Sequence, residues 1–196
     1  FITSLLNKKR GRVIFLFVRS EVMNNIVLFE PEIPQNTGNI MRTCVATGAK
    51  LHLIKPLGFV LDDVHLKRAG VNYLDKLDYA VYENFDDFVS KNAGIYYYFT
   101  RYGNKPHSSF DYSNLDGENL YFIFGKESTG IPKEILQKDL EHCMRIPMTD
   151  GVRALNVSNS VAIVIYEALR QQNYRGLLFA EPSDDGHKGP DYLERK

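Results

Sequence analysis

Asn36, Gly38 and Arg42 stand in the pattern N-x-G-N-I-x-R within EPEIPQNTGNIMRTCVATG (30–48). The stretch follows NIVLF, a short apolar run with the length of a buried strand. A strand, a glycine-bearing turn and a helix mark a ligand site in many α/β proteins. The glycines are wrong for a dinucleotide, since no GxGxxG occurs in the chain. GKESTGIP (125–132) has no glycine five residues before its Gly-Lys pair, so it is not a phosphate-cradling P-loop. That loop instead places a carboxylate, Glu127, between glycines and ends on Pro at a helix start. RIPMTDGVRALNVSNS (145–160) carries Arg153, then Asn156, Ser158 and Asn159. A helix cap needs one such polar residue, not three. Asn36, Arg42, Glu127, Arg153 and Asn156, on glycine-bearing loops that allow close main-chain approach, describe a site rather than three turns. Metal chemistry is not indicated: His52, His65, His107, His142 and His187 are far apart and form no HxxxH or Cys/His pair, each fitting a strand end or the surface.

The elements that must position these residues alternate. Strand-like runs are IVLFE (26–30), KLHLIKP (50–56), YAVYEN (79–84), IYYYFTR (95–101), YFIFG (121–125) and CMRIPM (143–148). Helix-like runs lie between them: NTGNIMRTCVATG, with Ile40, Cys44 and Val45 on one face; VHLKRAGVNYL (64–74); FDDFVSKN (85–92), with Asp86 and Asp87 in its first turn; and PKEILQKDL (132–140). LNVSNSVAIVIYEALRQQ (155–172) is apolar nearly all round from Val161 to Ile165, which predicts burial on more than one side and hints at a subunit interface. The alternation predicts one α/β domain over about 23–180, with a mostly parallel sheet and helices on both faces.

Composition bounds the partners. The chain has 196 residues, 44% apolar and 24% charged, with zero formal net charge. That excludes a uniformly basic nucleic-acid binder but allows a local basic patch. Two cysteines, Cys44 and Cys143, lack CxxC spacing and fit buried thiols in a reducing, cytoplasmic compartment. No run approaches the roughly 20 apolar residues of a membrane helix. KKRGR (8–12) followed by VIFLFV (13–18) imitates a signal peptide, but Arg19 and Glu21 stand where a cleavage site belongs. Residues 1–22 are expected to be an upstream extension outside the fold, and 181–196 a flexible tail.

N-x-G-N-I-x-R (36–42), F-G-x-E-x-x-G-I-P (124–132) and I-P-M…L-N-V-S-N-S (146–160) resemble, in order and spacing, the three motifs of the SpoU branch of the SPOUT RNA methyltransferases. Within that branch the likeness is to the small tRNA wobble-nucleotide 2′-O-methyltransferases, through LFEPEIPQNTGNI, KPLGF, LKRAG and IYEALRQQ. The resemblance implies a C-terminal deep trefoil knot, S-adenosyl-L-methionine bound there largely by main-chain groups (leaving as S-adenosyl-L-homocysteine), and an obligate homodimer. It implies cofactor contacts from Phe99, Thr100, Gly125, Ile146, Met148, Ala154 and Leu155. It implies a catalytic Arg42, with Asn36, Glu127 and Asn156 shaping the site and Tyr166 on its RNA side. Many relatives carry Ser where this chain has Ala154.

For such a reaction a ribose hydroxyl must lose a proton. A guanidinium normally stays protonated, so Arg42 suits stabilisation of the developing alkoxide, beside an RNA phosphate that takes the proton; the family pattern also allows Arg42 as the base itself. Glu127 is the nearest carboxylate, as base or as a prop for Asn36 or Arg42. Basic groups for phosphates are Lys67, Arg68, Arg101, Lys105, Lys126 and Arg153, with His107 also facing RNA. Most Tyr and Phe lie on strands, leaving few base-stacking platforms. A ribosomal-RNA methyltransferase and a nonenzymatic RNA-binding dimer are the competing readings.

Overall fold

A computed structural model describes residues 24–61, 74–113, 118–183 and 187–194. The expected extension at 1–22, nearly all of the run at 64–74, Lys67, Arg68 and part of the tail lie outside the described residues.

Seven strands form one sheet: β1 (Asn24–Phe29), β2 (Lys50–Ile54), β3 (Tyr79–Tyr82), β4 (Ile95–Phe99), β5 (Lys105–Pro106), β6 (Leu120–Phe124) and β7 (Cys143–Arg145). Their order is β3-β2-β1-β6-β4-β7-β5, and every pairing is parallel. All residues of β1 and β6 are buried, as continuous apolar runs at the centre of a parallel sheet must be. The two-residue β5 has too little chain for a period to show, and the sequence reading missed it.

Helices α1 (Pro34–Thr47) and α4 (Val157–Gln171) pack together on one face. There Ile40, Met41 and Cys44 of α1 and Val161, Val164, Ile165 and Ala168 of α4 meet Ile26, Leu28, Phe122 and Phe124. Helices α2 (Phe85–Lys91) and α3 (Lys133–Leu136) cover the other face, over Val27, Phe29, Tyr98 and Ile123. The predicted α/β architecture with two covered faces is thus observed. Pro34 opens α1 and left-handed Gly48 (φ 68°) closes it, its N–H donating to the Cys44 carbonyl. Asn84 caps α2 by accepting from the Asp87 N–H at 2.8 Å.

One expectation needs correction. Residues 132–140 form only a short α3, because beyond Leu136 the exposed Gln137 and Lys138 offer no buried stripe to propagate the helix. Within the single chain α4 buries one face and leaves Ile163 and Tyr166 exposed (39% and 46%). Both cysteines are free and buried, and burial pushes the Cys44 thiol up to about 12.

His52 corrects the surface assignment of the histidines, for it is buried in β2 among Tyr82, Phe88 and Tyr121. The Asn25 amide donates to the Leu120 carbonyl, so its oxygen faces His52 Nε2 at 3.0 Å. Nε2 therefore carries the proton, and Nδ1 accepts from the Tyr82 hydroxyl at 2.9 Å. Burial, then the Lys50 charge, lowers its pKa from 6.5 to about 4. The unfolded chain binds this proton near pH 6.5, the folded chain only near 4, so the stability held by neutral His52 is complete above 6.5 and is lost as pH falls towards 4. The expected loss is roughly 3 kcal/mol, read from urea midpoints at pH 7.5 and 4.5; His52→Gln flattens that slope, and an equally steep slope in the variant contradicts the assignment.

Candidate active site

Parallel strands put the loops after β1, β4, β6 and β7 on one edge of the sheet, where ligands of such sheets bind. These loops surround a cleft of about 850 Å³, within the range of small-molecule sites. Ile33 and Asn36 line it from the start of α1; Phe99, Thr100, Arg101 and Tyr102 from the loop after β4; Gly125 to Ile131 from the loop after β6. Arg145, Ile146, Met148 and Arg153 to Val157 close the fourth side.

A chain of hydrogen bonds ties three of these loops together. Glu127 accepts from the Asn36 amide at 2.9 Å and from the Glu32 N–H at 3.0 Å. The Asn36 oxygen accepts from the Asn156 amide at 2.9 Å. The Asn156 oxygen accepts in turn from the Ser158 N–H at 2.8 Å and hydroxyl at 2.6 Å, capping α4. Thus one of the three polar residues at the helix start caps it, and the same side chain holds the site.

Charges brace the same junction. Glu32 accepts from the Ser128 hydroxyl and N–H at 2.8 and 2.9 Å, which holds its carboxyl below the ordinary range. Lys126 pairs with Glu30 at 2.6 Å. Glu30 takes left-handed backbone (φ 49°) at the strand end, a conformation that costs a non-glycine residue roughly 1 kcal/mol.

The loop after β6 is packed main chain to main chain. A Cβ on Gly125 would lie 2.2 Å from the Gly130 carbonyl carbon and 2.3 Å from the Ile131 nitrogen. No side chain fits at Gly125, so the two ends of this loop meet main chain to main chain beside the cleft. Phe99 and Phe124 stack beside it at 4.6 Å.

The structure therefore gathers Asn36, Glu127 and Asn156 with the expected Phe99, Thr100 and Gly125. Ile146, Met148, Ala154 and Leu155 line the same cleft, as do Arg101, Lys126 and Arg153. Arg42 does not line it. It is exposed on α1, six residues past Asn36, hence about 120° round the axis and about 9 Å along it. Tyr166 lies on the exposed face of α4, away from the lining. Lys105 and His107 sit at the β5 edge, also outside the lining. Burial lowers the His107 pKa, and Glu167 opposes that.

Arg145, Tyr102, Glu32 and Ser128 were missed. Arg145 ends a strand and Tyr102 follows one, the positions that the strand-end rule singles out. The Glu32–Ser128 bond spans 96 residues and left no local signal. The cleft lining carries Arg101, Arg145 and Arg153, besides the Lys126 paired with Glu30, and its one carboxylate is Glu127, which places a basic patch on a chain of zero net charge. Among the described residues no cluster of His, Cys, Asp and Glu could hold a metal ion, and no helix is long and apolar enough to cross a membrane.

Residues 23–166 match the model of the SpoU rRNA methylase family. A tRNA (cytidine(34)-2′-O)-methyltransferase from Methylovorus glucosotrophus is 45% identical over 158 residues, 80% of this chain and all of the relative. A crystal structure from Bacillus anthracis is 53% identical with a TM-score of 0.76, over 79% of this chain and 97% of the other. A structure described as giving insights into 2′-OH methylation of C/U34 on tRNA is 38% identical with a TM-score of 0.71, over 79% of this chain and 99% of the other.

Proposed function

This chain belongs to the SpoU rRNA methylase family, and on that premise we propose that it transfers a methyl group from S-adenosylmethionine to the ribose 2′-oxygen of nucleotide 34, the wobble cytidine or uridine, of tRNA. The reading rests on one observation: the Glu127–Asn36–Asn156 chain that unites the three motif loops at one cleft. The named relatives, alike over nearly their whole lengths, supply the substrate.

The cleft fits the donor. Phe99, Phe124, Ile146 and Leu155 offer apolar walls for an adenine ring, and glycine-packed backbone offers main-chain donors and acceptors. Bound there, S-adenosylmethionine supplies a methyl group on a positive sulfonium, and leaves as S-adenosylhomocysteine. Apolar walls exclude water and favour loss of that charge. Glu127 accepts from the Asn36 amide and the Glu32 N–H, and so positions Asn36. Arg42 steadies the 2′-oxygen as its proton passes to an RNA phosphate.

Arg42 must then reach a cleft that its own α1 turns it away from. A homodimer resolves this, with Arg42 of one copy completing the site of the other. Exposed Ile163 and Tyr166 on α4, packed beside α1, support an interface there. The trefoil knot is part of the same proposal. It is supported by β7, which enters between β4 and β5, strands laid down earlier, with the Gly103 backbone pressed on that of Met144. The remaining domain reading, a folded unit over 23–180 in the cytoplasm, accords with a tRNA substrate.

Incubation with labelled S-adenosylmethionine and separate pools of tRNA and ribosomal RNA tests the function. Label mapping to the 2′-oxygen of nucleotide 34 is expected. Transfer to ribosomal RNA without tRNA, or to neither, overturns it.

A further inference from the structure

We propose that Tyr102 is the platform on which the base of the target nucleotide stacks, a role that rests on the methyltransferase reading above. Tyr102 lines the cleft yet is 68% exposed. The other cleft aromatics are spent on each other, Phe99 stacked on Phe124. The Arg101 guanidinium sits 4.7 Å from the Tyr102 ring centre and also donates to its hydroxyl. An exposed ring backed by a cation is the arrangement proteins use to hold an unpaired base.

The backbone that carries the ring is fixed on both sides by main-chain contacts with β7. Thr100 N–H donates to the Met144 carbonyl at 2.9 Å, fixing the loop to β7 just before the tyrosine. Just after it, a Cβ on Gly103 would fall 2.4 Å from the Met144 carbonyl carbon, so the backbones are in contact there too. Between these points the Tyr102 N–H donates to the Thr100 hydroxyl at 3.3 Å. The loop thus presents the ring to solvent at the cleft mouth with its backbone held on both sides.

The chemistry of the surroundings selects the occupant. Arg145 and Arg153 line the same cleft and suit a phosphate. A flat uncharged ring beside a phosphate describes a nucleotide of the RNA. The donor's adenine instead suits the walls of Phe99, Phe124 and Ile146, which are half-buried or buried where Tyr102 is exposed.

The chain has no tryptophan, so Tyr102→Trp introduces a single fluorescent reporter at this position. An anticodon stem-loop RNA is expected to quench it. The same RNA lacking the base at nucleotide 34, and S-adenosylhomocysteine alone, are expected to leave it unchanged. In kinetics, Tyr102→Ala raises the KM for RNA about tenfold, leaves the Kd for S-adenosylmethionine unchanged, and Tyr102→Phe restores the wild-type KM. Equal quenching by the abasic RNA, quenching by S-adenosylhomocysteine alone, or a wild-type KM in the alanine variant overturns the proposal. Wild-type transfer to nucleotide 34 is measured alongside. Its absence defeats the methyltransferase reading, whereas its presence with no base-dependent quench defeats only the role of Tyr102.

Discussion

Gly125→Ala is expected to abolish S-adenosylmethionine binding, with affinity falling at least about 100-fold, while the rest of the sheet stays folded. The added Cβ lies 2.2 Å and 2.3 Å from backbone atoms of Gly130 and Ile131. No rotamer change relieves a clash with main chain, so the loop itself must shift, at a cost of about 1–3 kcal/mol or more. That shift moves Lys126, Glu127 and Ser128, each tied to the segment 30–36. Asn36 then loses its support, and Asn156 loses the oxygen to which its amide donates. The damage therefore reaches three loops from one methyl group. Calorimetric titration with S-adenosylmethionine measures it, and circular dichroism checks the fold. Wild-type affinity in a folded Gly125→Ala protein contradicts a backbone-lined donor site at this loop.

Arg42→Ala is expected to leave donor binding intact and to lower methyl transfer by about 10²–10³-fold, the usual loss when one stabiliser of a developing oxyanion is removed. Its place outside the cleft lining makes the first half of this result specific. The proposed partner-completed site makes a sharper one. In a mixture of Arg42→Ala and Gly125→Ala proteins, mixed dimers are expected in which one cleft has both an intact loop and a partner's Arg42. Random exchange between two-fold dimers then restores about a quarter of wild-type activity. If Arg42 acts within its own chain, no mixed dimer has a working site and no activity returns. Loss of donor affinity in Arg42→Ala alone contradicts the assigned role in a different way.

Both experiments depend on features that differ in how far the sequence exposed them. The motifs around Asn36, Glu127 and Asn156 were legible because backbone-lined sites need glycine, proline and capping residues at fixed local spacing. The strands were legible because a parallel sheet buried on both faces requires apolar runs, as in NIVLF and YFIF. The end of α3 was not, since helix length past Leu136 is set by what lies beneath it. Nor was the burial of His52, a polar residue whose partners Asn25 and Tyr82 come from two other strands.

By itself, then, the sequence exposed the three motif loops and six of the seven strands, because glycine geometry, helix capping and apolar periodicity are local. Only the tertiary structure decided what those residues do to one another. Glu127 meets Asn36 across 91 residues, and Asn36 meets Asn156 across 120. Such partners are selected by the strand order β1-β6-β4-β7, which no local period encodes. The same holds for Arg42 and Tyr102. Arg42 falls outside the cleft lining at its helical angle from Asn36, and Tyr102 is exposed on a loop whose backbone is pressed onto Met144.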